Sequence, residues 1–436
     1  MLFIKNDIVM LNKLIRQAGV LLSGNLFASV LNFLSVAISL KALGVESFGQ
    51  VTLLQAYILV ISLCFNPQAW QGLIRYFSLE TDQAGLLTST LKYDLICAVL
   101  GTVLAILIAP LYTESFKLSE YTELLQWCAL YILINQTSVA IGILRYQERY
   151  KALALQNVIS AVLFFVCVLV GFWLALGVDY YVASYLLTLG LGVVFIQWLC
   201  LPYTLSLFKA RKDNNVMLSN ARKKEFNKFN FTVHMTALAD IPVKQLDNIL
   251  VGAVVSVSAA GAYRVIKQIA TISTKVTAPL NQVLYPEVNT LLASKEYSKV
   301  KGAMLKIITL LLIPSLVVVV LASVSTEYWI PVMFSEELLA YKWHIITFLL
   351  IHAIATAFTP VHPIFLALGY VKRLFIITLF SNLVLCAGIL LLGPQIGLWG
   401  IVIAIFIQYV LTIICKLPLI LTRLAREMDE STTLHT

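Results

Sequence analysis

The chain has 436 residues, of which 60% are hydrophobic and 12% charged, with a mean hydropathy of +0.89; soluble domains carry roughly twice that share of charge. So little polar surface excludes a water-soluble globular fold and requires lipid as solvent. The net charge of +9 is spread through short loops on one side of a membrane, which excludes a nucleic-acid groove as its purpose.

Lys5, Asp7, Lys13 and Arg16 precede an apolar stretch too long to be the core of a cleavable signal peptide, so that stretch reads as the first spanning helix. A bilayer core needs about 20 apolar residues per helix. On that criterion the predicted spans are 18–42, 48–66, 91–111, 122–144, 152–176 and 180–208, then 229–252, 260–285, 303–323, 343–368, 374–392 and 397–421. This is an all-α integral membrane protein of about twelve helices, expected to form two six-helix lobes around a central cavity.

Orientation follows from the loops. With the N-terminus in the cytoplasm, the inner loops collect Arg75 and Lys92, then Arg145, Arg149 and Lys151. They also collect a run from Lys209 to Lys228, Lys295 to Lys306, Lys372 and Arg373, and finally Lys416, Arg423 and Arg426. The outer loops keep Lys41, Lys117 and Lys342 and carry acids such as Glu46, Glu114, Asp179, Glu327 and Glu337. That asymmetry predicts an even helix count with both termini inside. Trp127, Trp173, Trp198, Trp329, Trp343 and Trp399 fall near helix ends or in an outer loop and suit an interfacial belt. The seven cysteines form no C-x-x-C and read as small buried hydrophobes. The most basic segment, 209–228, divides an N-terminal lobe (1–208) from a C-terminal lobe (229–421) followed by a cytoplasmic tail (422–436).

Once the cations assigned to loops are set aside, four remain: Lys244, Arg264, Lys267 and Lys275, all on the seventh and eighth helices. A charge within a bilayer is costly and marks a functional site by default. Asp240, Lys244 and Asp247 are spaced to stack on one helical face and pair, either as a working group or as a self-neutralised packing cluster. Arg264, Lys267 and Lys275 form a ladder with no acid on its own helix, although Arg264 and Lys267 lie near enough to the outer end to snorkel. Arg75, at the inner surface, suits a phosphate contact or a topology anchor. On the first helix Asn25, Ser29, Asn32 and Ser39 form a polar stripe, read as sugar-lining or as interhelical hydrogen bonding. His234, His352 and His362 suit packing roles better than titration. Pro242 and Pro279 flank the charged cluster and predict bends there. No P-loop, G-x-S-x-G or H-E-x-x-H is present, so neither an enzyme nor a cofactor is expected.

Several short motifs carry a family resemblance. Leu43-Gly44-Val45-Glu46-Ser47-Phe48-Gly49 resembles the turn after helix one in the polysaccharide-transport (O-antigen type) flippases of the multidrug/oligosaccharidyl-lipid/polysaccharide exporter superfamily, with Val45 where proline is usual. The segment from Asp247-Asn248-Ile249-Leu250-Val251-Gly252 to Gly261-Ala262-Tyr263 resembles that family's helix seven. Leu284-Tyr285-Pro286-Glu287 resembles its end of helix eight, and Ile396-Gly397-Leu398-Trp399-Gly400 its entry to helix twelve. The resemblance implies a bacterial inner-membrane flippase that moves undecaprenyl-diphosphate-linked oligosaccharide from the cytoplasmic to the periplasmic leaflet during lipopolysaccharide synthesis. Membrane lipids and the polymerase of the same pathway are the implied partners. Arg264, Lys267, Lys275 and Lys244, with Arg75, Asn25 and Asn32, would then meet the diphosphate and sugars, while Asp240 and Asp247 tune them or couple to an ion. Two alternatives stay open: a drug or metabolite cation antiporter of the same superfamily, which ought to present excess carboxylates, and a membrane polysaccharide polymerase, which ought to show a large outer loop.

Overall fold

The computed structural model describes the backbone of residues 2–77, 79–214, 219–239 and 241–433, and their side chains except at 2–18, 20, 21, 211–214, 271–276, 278–283, 286 and 430–433. No β-strand occurs among the described residues. The chain resolves into two compact units: residues 1–43 with 50–241, and residues 44–49 with 242–436.

The first unit holds most of α1 (Leu2–Cys64), then α2 (Trp70–Phe77), α3 (Gln83–Ser115), α4 (Thr122–Cys128), α5 (Leu130–Ile134), α6 (Ser138–Tyr146), α7 (Tyr150–Trp173), α8 (Val178–Asn214) and α9 (Asn220–Leu238). The apolar part of α1 spans 43 residues, about 65 Å at 1.5 Å per residue, roughly twice a bilayer core. It is broken at Gly44 (φ 74°, ψ 171°), between the two spans expected there. The predicted span 122–144 is a chain of three short helices, α4 to α6, interrupted at Ala129 and at Asn135–Thr137. Leu73, Phe77, Leu86, Ile143, Leu144 and Phe226 share one apolar core.

The expected lobe boundary at 209–228 differs from the division between the units, at Ile241–Pro242. The cause is α9. Phe226, Asn230 and His234 recur every four residues and bury one face of it, and that face packs within the first unit. His234 accepts or donates at both ring nitrogens, to Tyr93 Oη (3.0 Å) and the Cys64 carbonyl (2.8 Å).

The second unit continues with a π-helical turn (Pro242–Leu246), α10 (Asp247–Val254), α11 (Val257–Ala293), α12 (Tyr297–Val324), α13 (Thr326–Met333), α14 (Lys342–Ala357), α15 (Val361–Ala367), α16 (Val371–Ile396) and α17 (Leu398–Thr433). Its core gathers Val288, Val300, Met304, Ile364, Phe365 and Leu424. Helix α11 does not stop at Pro286, as the sequence suggests, but runs on to Ala293.

Residues 44–49 belong to this unit for steric reasons. A Cβ at Gly49 would lie 2.1 Å from the Val257 carbonyl oxygen, and one at Gly261 would lie 2.6 Å from that of Val45. Only glycine permits such an approach of two backbones. The break at Gly44 also frees the amide of Val45, which donates to Glu337 Oε2 at 2.9 Å.

Nine stretches of the described residues are long and apolar enough to cross a membrane. The expected spans 229–252 and 260–285 are not among them. These are the helices that carry the charges found by elimination in the sequence. Trp127, Trp173, Trp198 and Trp343 are largely exposed, as side chains at a membrane interface are.

Candidate functional site

Asp247 organises the charged cluster of the second unit. It opens α10 and is 2% exposed. Its Oδ1 accepts from the Asn248 amide at 2.9 Å, and its Oδ2 accepts from Tyr263 Oη at 2.8 Å and from Lys267 Nζ at 2.5 Å. Tyr263 and Lys267 are four residues apart on α11 and therefore share a face. The Lys267 ammonium donates further to the carbonyls of Val243 (2.7 Å) and Lys244 (3.4 Å). Pro242 has no amide to give, and the π turn that follows it spaces its hydrogen bonds differently from an α-helix. The ammonium therefore bonds the carbonyls of that turn as well as the acid.

Two expectations are revised by this geometry. Asp240, Lys244 and Asp247 were counted onto one face at α-helical spacing, but the π turn between 242 and 246 interrupts that spacing. Lys244 is exposed where Asp247 is buried, and the cation hydrogen-bonded to Asp247 is Lys267, from the next long helix. Lys267 is likewise not an unengaged receptor, because each ammonium proton has an acceptor in place.

Arg264 is half-buried on α11, its guanidinium 5.4 Å from the centre of the Phe48 ring. Asp240 and the Lys275 side chain lie outside the described residues. Arg75, Asn25 and Asn32 belong to the first unit. The Arg75 guanidinium lies over Phe229 (4.8 Å) and Tyr76 (5.7 Å). Tyr76 Oη in turn donates to Glu225 at 3.0 Å, and Arg222 pairs with both Glu225 (3.0 Å) and Glu80 (2.9 Å). The hydrogen bonds from Arg222 and Tyr76 hold the Glu225 carboxyl below its ordinary range. Asn25 Oδ1 accepts from Asn157 Nδ2 at 2.7 Å, and Asn32 is half-buried on the same helix. The polar stripe of α1 is thus bonded to α7 at one point at least.

From Asp247 a chain of rings runs deeper into the second unit. Tyr263 meets Phe348 edge-on at 6.3 Å, Phe348 stacks with His352 at 6.2 Å, and Tyr409 Oη lies 3.3 Å from His352 Nδ1. Tyr409 lines a cavity of about 260 Å³, whose wall also includes Lys416. Lys416 is 5% exposed. Sequence reasoning assigned it to an inner loop, although it falls inside the predicted span 397–421. Asp94 was not singled out either: it falls inside the predicted span 91–111 and is 3% exposed. In both cases the signal was a charge inside a predicted span.

Residues 14–292 match the family described as "Polysaccharide biosynthesis protein". No curated protein matches the sequence. Among solved structures, a multidrug resistance MATE family transporter of the MOP superfamily, inward-facing, superposes with a TM-score of 0.71 at 16% identity, over 92% of this chain and 96% of that one. The lipid II flippase MurJ in an inward closed conformation gives 0.68 at 12% identity, over 90% of this chain and 86% of that one. A MOP superfamily transporter from Pyrococcus furiosus, described as having a binding pocket of reverse polarity, gives 0.59 at 16% identity, over 94% and 96%. At such identities the likeness establishes the all-helical transporter fold.

Proposed function

The chain belongs to the polysaccharide biosynthesis protein family, and from that premise we propose that it is a flippase, not an enzyme, that carries a lipid-linked oligosaccharide across a bacterial inner membrane. In the finer reading the cargo is an undecaprenyl-diphosphate-linked repeat unit of O-antigen type. It passes from the cytoplasmic to the periplasmic leaflet, with both termini of the protein cytoplasmic.

The observation that carries the reading is the charge on the helices that fall short of ordinary membrane apolarity. Between residues 240 and 275 the sequence carries four cations, Lys244, Arg264, Lys267 and Lys275, against two carboxylates, Asp240 and Asp247. The surplus is positive. Fixed cations favour a diphosphate through charge-assisted hydrogen bonds. A cationic drug would meet repulsion there, which sets aside the antiporter. In this reading Lys267 serves through its pair with Asp247: an incoming anion competes with the carboxylate for the ammonium. Arg264, Lys244 and Lys275 supply further charge. Asp247, with Asp240, sets the balance; in the first unit, taken by itself, Arg75 is proposed for a phosphate and Asn25 and Asn32 for sugar hydroxyls.

Deleting the gene and locating the lipid-linked oligosaccharide tests the proposal. A flippase predicts single repeat units held on the cytoplasmic leaflet; units exposed on the outer leaflet would point to a polymerase instead. Within that assay, K275A at normal protein level is expected to reduce surface polysaccharide, and an unchanged surface would remove Lys275 from the site.

A further inference from the structure

We propose that the cavity beside Lys416 in the second unit is a binding subsite for a single anionic sugar, one bearing a carboxylate or a phosphate. This rests on the reading of the chain as a glycolipid carrier and names the chemistry of one part of the cargo. The cavity is lined by residues of α14, α15 and α17 and the short link between the first two. It therefore lies wholly within one compact unit.

Three observations converge on it. First, Lys416 is 5% exposed, and no carboxylate pairs with it among the described residues. A buried cation is expensive unless it is neutralised. The charged clusters elsewhere in the unit show the usual solution, since Lys267 has Asp247. Lys416 is the exception, and it borders open volume. Second, the neighbouring hydroxyls are polarised in one direction. Thr359 Oγ1 donates to the Thr356 carbonyl at 2.6 Å, and Thr412 Oγ1 donates to that of Gln408 at 2.9 Å. Their protons are spent on their own helix backbones, so what they offer the cavity is oxygen lone pairs. Those accept from hydroxyl donors. Third, Phe358 and Tyr409 line the same space, and a ring face is what the C–H side of a pyranose packs against. A fixed cation, hydroxyl acceptors and an aromatic wall specify an anionic sugar. The volume of about 260 Å³ lies just below the range of ordinary small-molecule pockets, which suits one ring and excludes a chain of several.

The test uses the purified full-length protein in detergent micelles. The probes are glucuronate, glucose 6-phosphate, inorganic phosphate and neutral glucose, and binding is read by isothermal titration and saturation-transfer NMR. At least one charged sugar is expected to bind the wild type, with neutral glucose weaker by about tenfold or more, the factor carried by one charge-assisted hydrogen bond. K416M is expected to lose that preference and K416R to keep it. T412V, which retains the charge, is expected to weaken the sugars but not inorganic phosphate. It serves as the second variant should K416M fold poorly. The carboxylate and phosphate arms identify which anion the subsite takes. Inorganic phosphate binding as tightly as glucose 6-phosphate would overturn the sugar part. Unchanged binding in K416M, or neutral glucose binding as tightly as both charged sugars, would overturn the whole. These outcomes are separable from the fate of the flippase reading: a gene deletion that leaves the glycolipid correctly placed would refute transport while leaving Lys416-dependent binding in vitro intact.

Discussion

Replacing Lys267 with methionine keeps the length of the side chain and removes its charge. Asp247 would then remain 2% exposed, with the Tyr263 hydroxyl and the Asn248 amide as its remaining hydrogen bonds, and the carbonyls of Val243 and Lys244 would lose their donor. Breaking a buried pair by removing one partner costs about 3–5 kcal/mol. Since 23% of the Lys267 side chain is exposed, solvent screening brings the expectation for K267M to about 2–3 kcal/mol. D247N leaves the ammonium its two carbonyl partners and is expected to cost about 1–2 kcal/mol. Removing both charges together, as in D247N/K267M, is expected to cost less than K267M alone, because no uncompensated charge remains. The resulting coupling, about 2 kcal/mol in the double-mutant cycle, is measurable by reversible unfolding of the purified protein in mixed micelles. K267M within about 0.5 kcal/mol of wild type, or single-variant costs that simply add, would refute the account of Lys267 as the counter-ion that makes a buried Asp247 tolerable.

G49A and G261A force a Cβ against the carbonyl oxygens of Val257 and Val45 respectively. Each is expected to cost about 2–3 kcal/mol or more, read as lost folded protein and lowered melting temperature. G302A, on α12 where an added Cβ meets nothing within 4 Å, is the control and is expected to be neutral or stabilising by about 0.5–1 kcal/mol. Glu225 is a carboxyl whose folded value is lowered by Arg222 and Tyr76. Its contribution is therefore full above the unfolded carboxyl's range and disappears as pH falls through the folded value. Acidification is expected to loosen the first turns of α9 from α2, seen as faster amide exchange after correction for intrinsic rates. E225Q is expected to abolish that pH dependence.

The apolar spans were legible because roughly 20 consecutive hydrophobic residues have few alternatives to a membrane helix. The charges of Lys244, Arg264 and Lys267 stood out in the sequence for the complementary reason: a charge with nowhere to go in the hydropathy pattern is conspicuous. What that pattern does not contain is a partner. Nothing in the spacing of α11 indicates that Lys267 finds Asp247, 20 residues earlier, across the break between α10 and α11. Sequence periodicity presumes one helical pitch, and Pro242 ends it. Lys416 and Asp94 escaped notice because depth in a membrane is read from distance to a helix end, whereas burial depends on neighbouring helices. The glycine-rich motifs at residues 43–49 and 261–263 were recognisable as a family signature but not as two halves of one backbone contact.

That contact has a consequence for synthesis. The chain leaves its first unit for six residues and comes back, and the carboxylate that satisfies the Val45 amide comes from a residue 292 positions later. At about 5–20 residues per second the ribosome needs roughly 15–60 s to reach Glu337. For that interval the Val45 amide, in the link between two expected spans, lacks the acceptor it has in the folded protein. A nascent chain that stops before Glu337 therefore keeps the Val45 amide without its folded partner, and the break at Gly44 is where that deficit lies.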